Sequence, residues 1–192
     1  MNLPNKLTLM RIALTPVFMA AMLVEFPHHY LVALILFVIA SITDWLDGYL
    51  ARKNNQVTNF GKFCDPLADK MLTTAAFLAF MAKGWGIGIE WVLFIVLLRE
   101  FAVSALRLVV VTSNAKKVIA ANIWGKMKTV SQMVSIIVGI ALLYCLDWNT
   151  DSASFTTMNW LFTPILWIST ALAVISGLIY VKESWTYINP SC

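Results

Sequence analysis

The fold is decided by one stretch, residues 30–50, which reads YLVALILFVIASITDWLDGYL. Its first part is almost continuously apolar, and its last part carries Asp44 and Asp47. The run has about the 20-residue length of a helix that crosses a bilayer, and its acids lie at one end rather than at its centre. This stretch predicts a transmembrane helix with a polar site at one end.

The composition extends this prediction to the whole chain. Its 192 residues are 60% hydrophobic and 12% charged, with a mean hydropathy of +0.77, which excludes an ordinary soluble domain. We therefore predict an all-α integral membrane protein with a single domain over residues 1–192 and no nucleic-acid partner. Apolar blocks predict six transmembrane helices near residues 12–24, 30–50, 67–81, 91–112, 129–146 and 161–181. Residues 2–11, which mix leucines with polar residues, are predicted to form an amphipathic helix along the interface.

The basic residues predict the orientation. Of the 14 lysines and arginines, all except Lys83 fall on or toward one side of the predicted spans. Basic residues near span ends are retained in the cytoplasm, so both termini and the acidic span ends are predicted to be cytoplasmic. The connections 25–29 and 147–158 contain no lysine or arginine and are predicted to face outward.

Cysteine and histidine do not suggest a metal site. The cysteines Cys64, Cys145 and Cys192 are scattered and odd in number, which argues against a disulfide framework or a zinc cluster. The only histidines, His28 and His29, lie in a predicted outer connection.

Four aspartates are the strongest candidates for a functional site. Asp44 and Asp47 are three residues apart, and Asp65 and Asp69 are four apart, so each pair lies on one face of its helix. A short connection between the two helices brings the pairs together at the predicted cytoplasmic side. Four carboxylates beside a bilayer need a positive partner, and an all-oxygen ligand set favours Mg²⁺ or Mn²⁺.

Small residues lie between the acids. Gly48 and Ala51 follow Asp44 on its face, and Gly61 lies on the face of the second pair, which leaves room for a bulky ligand. Arg52 offers a bidentate contact to a phosphate. The alternative is that the small residues only allow close packing of membrane helices.

These residues resemble the signature of the CDP-alcohol phosphatidyltransferase family. The shared pattern is Asp44-x2-Asp47-Gly48-x2-Ala51-Arg52-x8-Gly61-x3-Asp65-x3-Asp69, with every specified position filled. The resemblance implies six transmembrane helices after an interfacial helix, a multi-pass location in a bacterial cytoplasmic membrane, and a homodimer.

The resemblance also implies roles for the site residues. The four aspartates would hold two metal ions against the diphosphate of CDP-diacylglycerol, and Asp69 would also be the general base. The nucleotide-binding residues would be Asn5, Thr8, Arg11, Gly48, Ala51, Arg52 and Gly61.

The second half of the chain favours an acceptor that carries its own phosphate. Arg107 and Lys126 are predicted to bind that phosphate, and residues 99–107 and 125–133 resemble family members that use sn-glycerol 3-phosphate. Arg99 has a structural alternative, which is to pair with a carboxylate within the spans. Two other functions remain open: transfer to another alcohol, such as inositol phosphate or serine, and a small ion-coupled transporter.

Overall fold

The structure is a computed structural model that describes residues 3–53, 59–112, 123–147 and 152–188, with side chains for 5–44, 64, 66–109, 123–147 and 153–184. These residues form six helices and contain no strand. The described connections between helices are short turns. The helices are α1 Leu3–Leu23, α2 His29–Lys53, α3 Asn59–Ala82, α4 Ile89–Thr112, α5 Ile123–Asp147 and α6 Ser152–Ile188. The all-α prediction is confirmed for the described part of the chain.

The N-terminal segment differs from its prediction. Residues predicted as a separate interfacial helix are the first turns of α1, which runs without a break from Leu3 to Leu23. Asn5, Thr8 and Arg11 recur at every third residue and are buried, with Arg11 0% exposed. Because these polar side chains face neighbouring helices rather than water, the segment joins the bundle instead of lying flat on the interface.

The helices alternate in direction, so functional residues from distant parts of the sequence meet at one end. Helix α1 packs against α2 and α3, α6 packs against α4 and α5, and α5 also contacts α2 and α3. We call the end that contains Arg11, Asp44, Asp69, Glu100 and Lys128 the charged end. The opposite end, with the turns 24–28 and 83–88, is called the far end.

Aromatic side chains fill the core between the middle of the bundle and the far end. Phe162 of α6 packs edge-on against Phe80 of α3 and stacks on Trp85, with ring centroids 5.5 and 5.4 Å apart. Gly139 of α5 makes this packing possible, because a Cβ there would lie 2.7 Å from Phe80 and 2.8 Å from Phe162.

Helix α6 fixes the turn between α3 and α4. The backbone N–H of Gly86 donates to Asn159 Oδ1 at 2.7 Å, and that of Ile87 donates to Thr163 Oγ1 at 3.1 Å. Trp167 Nε1 in turn donates to the carbonyl of Ile87 at 3.0 Å. Gly86 has φ +95°, a conformation that favours glycine, so the sequence meets the backbone requirement of this tight turn.

Three helices are long and apolar enough to cross a membrane, judged over the described residues. These stretches are Asn5–Leu23, Ile123–Asp147 and Ala153–Ser184, and His29–Asp44 is a shorter apolar stretch. Helix α4 is continuous, but its apolar sequence is interrupted by the charged residues Arg99 and Glu100. The architecture is thus that of a helical membrane protein whose site residues interrupt the apolar helices.

Candidate active site

The first part of the site joins α1 to α2. The guanidinium of Arg11 donates to Asp44 Oδ1, and the Arg11 side chain is 0% exposed whereas that of Asp44 is 34% exposed. A buried arginine needs a carboxylate partner, and Asp44 provides it. Thr8 and Asn5 are buried about one and two turns before Arg11 on α1. The three residues of the predicted N-terminal element therefore lie inside the bundle, on a helix that reaches an acid of the predicted metal site.

Asp69 of α3 lies in the same electrostatic environment. Its carboxyl group interacts electrostatically with Asp44 and Arg11 and with Lys128 and Glu100. Asp69 itself forms no ion pair with a basic side chain among those the structure describes. The structure thus brings together one acid from each predicted pair, and no described basic side chain forms an ion pair with Asp69.

The remaining signature residues lie on the same two helices. Their side chains are outside the described part of the structure: Asp47, Gly48, Ala51 and Arg52 on α2, and Gly61 and Asp65 on α3. The predicted roles of these six residues stay predictions.

A second group of charged residues joins α3, α4, α5 and α6. Glu100 Oε1 accepts from Lys128 Nζ and from Arg99 NH1, the latter at 3.0 Å. Lys70 Nζ donates to Ser104 Oγ and, at 3.4 Å, to the carbonyl of Glu100. This network lies beside Asp69, which is next to Lys70 in the sequence.

Arg99 has the structural role that the sequence left open. Its NH2 donates to Ser176 Oγ of α6 at 2.8 Å, and its side chain lies over Gly177, where a Cβ would be 2.9 Å from Arg99 Cγ. The glycine provides the space that the arginine occupies. Arg99 therefore ties α4 to α6 and supports Glu100 from one side.

The two residues predicted to bind the acceptor phosphate, Arg107 and Lys126, are both exposed. The buried cation of α5 is Lys128, which was not among the predicted site residues. Residues two apart on a helix point in nearly opposite directions, so Lys126 and Lys128 cannot both face the bundle. The signal that would have selected Lys128 is its helical register with Gln132, Ser135 and Gly139, all of which face inward.

The described acids fit part of a divalent-metal site. Asp44 and Asp69 provide carboxylate oxygens from adjacent helices, and their like charges act on each other, which is the situation that a hard cation relieves. With Asp47 and Asp65 outside the described side chains, the remaining acids, histidines and cysteines form no group of three or more. The donor chemistry suits Mg²⁺ or Mn²⁺.

Comparisons with known proteins show the family of the chain and several named relatives. The sequence model for CDP-alcohol phosphatidyltransferases matches residues 1–179, from α1 into α6. A relative from Bacillus subtilis strain 168, named CDP-diacylglycerol–glycerol-3-phosphate 3-phosphatidyltransferase, is 42% identical over 99% of this chain and 98% of its own length. A relative of the same name from Haemophilus influenzae is 38% identical over 70% of this chain and 73% of its own length. Another relative of the same name, from Yersinia pestis strain Pestoides F, is 35% identical over 97% of this chain and 96% of its own length.

Proposed function

Since the chain belongs to the CDP-alcohol phosphatidyltransferase family, we propose that it transfers the phosphatidyl group of CDP-diacylglycerol to sn-glycerol 3-phosphate. The products are phosphatidylglycerophosphate and CMP, in a step of phosphatidylglycerol biosynthesis. Relatives named for this reaction align with nearly the whole chain, which supports both the reaction and the acceptor. The structural observation that carries the proposal is that Asp69 interacts electrostatically with both the Arg11–Asp44 pair and the Lys128–Glu100 pair.

The donor side of the proposed site is formed by α1, α2 and α3. Asp44, Asp47, Asp65 and Asp69 are the proposed metal ligands, and a divalent metal, when bound, neutralises the diphosphate and the departing CMP. Arg11 holds Asp44 in place through their ion pair. The proposed nucleotide-binding residues are Asn5, Thr8, Arg11, Gly48, Ala51, Arg52 and Gly61.

Asp69 is the proposed general base. Its carboxylate takes the proton from the 1-hydroxyl of glycerol 3-phosphate as that oxygen attacks the phosphorus that bears diacylglycerol. The bond from this phosphorus to the CMP oxygen breaks, and CMP leaves.

The acceptor side contains the proposed phosphate contacts Arg107 and Lys126. Both side chains are exposed, on the helices that also carry Glu100 and Lys128. The acyl chains of the donor stay in the bilayer. The charged end, where apolar helices meet polar residues, is therefore a place where a lipid and a soluble substrate can meet.

The experiment that tests this function offers several alcohols to the purified protein. CDP-diacylglycerol, Mg²⁺ or Mn²⁺ and one of glycerol 3-phosphate, inositol phosphate or serine are incubated in detergent, and the lipid product and CMP are measured. We expect phosphatidylglycerophosphate and an equal amount of CMP with glycerol 3-phosphate alone. Product with another alcohol would reassign the acceptor, while ion flux without CMP release would favour a transporter.

The location and assembly are part of the same proposal. We assign the protein to a bacterial cytoplasmic membrane with six transmembrane helices, with the charged end and both termini in the cytoplasm, and with a homodimer as the assembled form. Orientation is tested by Glu25→Cys in a cysteine-free variant, because this side chain is 87% exposed at the far end. An impermeant maleimide should label it from outside intact cells. Labelling only after the membrane is opened would reverse the orientation.

A further inference from the structure

Glu100 occupies an unusual position in α4. Its carboxylate is 17% exposed within an otherwise apolar helix, and it contacts the charged groups of both Arg99 and Lys128. Lys70 also approaches its backbone carbonyl. Ionisable residues in membrane helices are costly, so a carboxylate that gathers several cations calls for a functional explanation.

The position of Glu100 is fixed from the side of α6. Arg99 is held by its hydrogen bond to Ser176 and by the space over Gly177, and it donates to Glu100 Oε1 at 3.0 Å. Glu100 therefore has an anchored partner on one side. Lys128 contacts the same oxygen from α5, so the place of its ammonium group is set by Glu100.

Lys128 has a second carboxylate nearby. Asp69 lies within the field of Lys128, but its own carboxylate forms no ion pair with a basic residue among the described side chains. A lysine side chain is flexible and carries a compact charge, so it can change partners when one partner is removed. Two acids thus compete for one buried ammonium group, and in this structure Glu100 holds it.

We propose that Glu100 is a positioning residue that holds Lys128 away from Asp69, so that the Asp69 oxygens stay available to a divalent cation. This inference rests on the proposed role of Asp69 as a metal ligand. Lys128 still acts on Asp69 electrostatically, but its ion pair is with Glu100 and not with the Asp69 carboxylate. Without the Glu100 charge, Lys128 pairs with Asp69 and competes with the metal for it.

The test measures Mn²⁺ binding directly, by the electron paramagnetic resonance signal of free Mn²⁺ in titrations of the purified protein in detergent. We expect Glu100→Gln to weaken binding roughly tenfold, as a competing ion pair of moderate strength would do. Lys128→Met should bind Mn²⁺ at least as tightly as the unaltered protein. The double variant with both changes should bind like Lys128→Met alone, because the competing ammonium group is gone.

The double variant separates this inference from a simpler effect. Removing a negative charge near the site would itself weaken cation binding, but that loss would persist when Lys128 is methionine. A weakened double variant would therefore overturn the inference, as would unchanged binding by Glu100→Gln. Glu90→Gln is the matched control, since Glu90 lies ten residues before Glu100 on the same helix, about 15 Å away along its axis. It should bind Mn²⁺ normally.

Two further observations keep the test decisive. If Glu100→Gln does not fold, Glu100→Asp is used instead, because it keeps the charge on a shorter side chain. We expect Glu100→Asp to weaken Mn²⁺ binding, and we expect Lys128→Met to restore that binding in the double variant. Persistent weakening in that pair would overturn the inference. Failure of the unaltered protein to bind Mn²⁺ would refute the metal role of Asp69, and this inference with it, whereas additive effects of the two substitutions would refute this inference alone.

Discussion

The two ends of the bundle are held together by different forces. At the far end, Trp85 and Phe162 stack in the core, and α6 fixes the neighbouring turn through hydrogen bonds to its backbone. At the charged end, the helices are joined by ion pairs such as Arg11 with Asp44 and Lys128 with Glu100. The stacked rings of Trp85 and Phe162 offer no carboxylate or cation to a substrate. The charged end holds carboxylates beside cations, so substitutions there should change chemistry more than stability.

The largest effect is expected from Asp44→Asn. If Asp44 is a metal ligand, its loss should lower turnover by about a thousandfold, because a catalytic metal contributes several kcal/mol of transition-state stabilisation. Asparagine keeps one oxygen to accept from Arg11, so the fold should survive. CMP release and thermal unfolding should be measured on one preparation. Normal CMP release at ordinary metal concentration would remove Asp44 from the metal site.

The far end should respond in the opposite way. Phe162→Ala removes a fully buried ring that packs on Phe80 and Trp85, and we expect a loss of about 3–4 kcal/mol in the free energy of unfolding. Activity per folded molecule should change little, because the ring is far from the charged end. Unfolding by sodium dodecyl sulfate, followed by circular dichroism, gives the stability. A stable variant with greatly reduced turnover would contradict the division between the two ends.

A smaller and more selective effect is expected from Arg107→Ala. Loss of a charge-assisted contact to the acceptor phosphate should weaken the binding of glycerol 3-phosphate by about 1.5–3 kcal/mol. The KM for glycerol 3-phosphate should therefore rise, while that for CDP-diacylglycerol stays the same. The two substrates are varied separately. An unchanged dependence on glycerol 3-phosphate would exclude Arg107 from the acceptor site.

The smallest effect is expected from Lys83→Ala at the far end. Lys83 Nζ lies 3.8 Å from Glu25 Oε1, and the Glu25 side chain is 87% exposed. Exposed ion pairs contribute about 0–1 kcal/mol, so neither stability nor turnover should change by more than that. Glu100→Gln breaks a largely buried ion pair. Comparing the two variants in stability and turnover therefore measures how burial changes the contribution of an ion pair. A large loss of turnover in Lys83→Ala would show that the far end contributes to the chemistry.

The sequence was sufficient to predict the helices and the meeting of Asp44 with Asp69. Both predictions depend on local spacing and on the apolar length of each helix, which are properties of single segments. The sequence prediction for residues 2–11 was wrong about a separate helix, because alternating polar residues can face either water or a neighbouring helix. The ion pair with Asp44, a residue distant in the sequence, shows that Arg11 faces inward.

The roles of Lys128 and Glu100 depend on contacts between distant segments. Lys126 and Lys128 are two residues apart, so one of them faces the bundle and the other faces outward. Composition alone does not say which of the two faces the bundle. The inward choice follows from the packing of Gln132, Ser135 and Gly139 on the same face of α5. The far-end turn is similar, since nothing local to Gly86 identifies Asn159 as its hydrogen-bond partner.

The role of Asp69 as the general base is tested by single-turnover transfer by Asp69→Asn. Asparagine keeps the size of the side chain and one oxygen but cannot take the proton from the acceptor hydroxyl. We predict that this variant still binds CDP-diacylglycerol and Mn²⁺, while its single-turnover formation of phosphatidylglycerophosphate falls by roughly 10²–10⁴-fold, the usual contribution of a general base. Near-normal single-turnover transfer would contradict the account, because Asp69 would not be the base at the charged end.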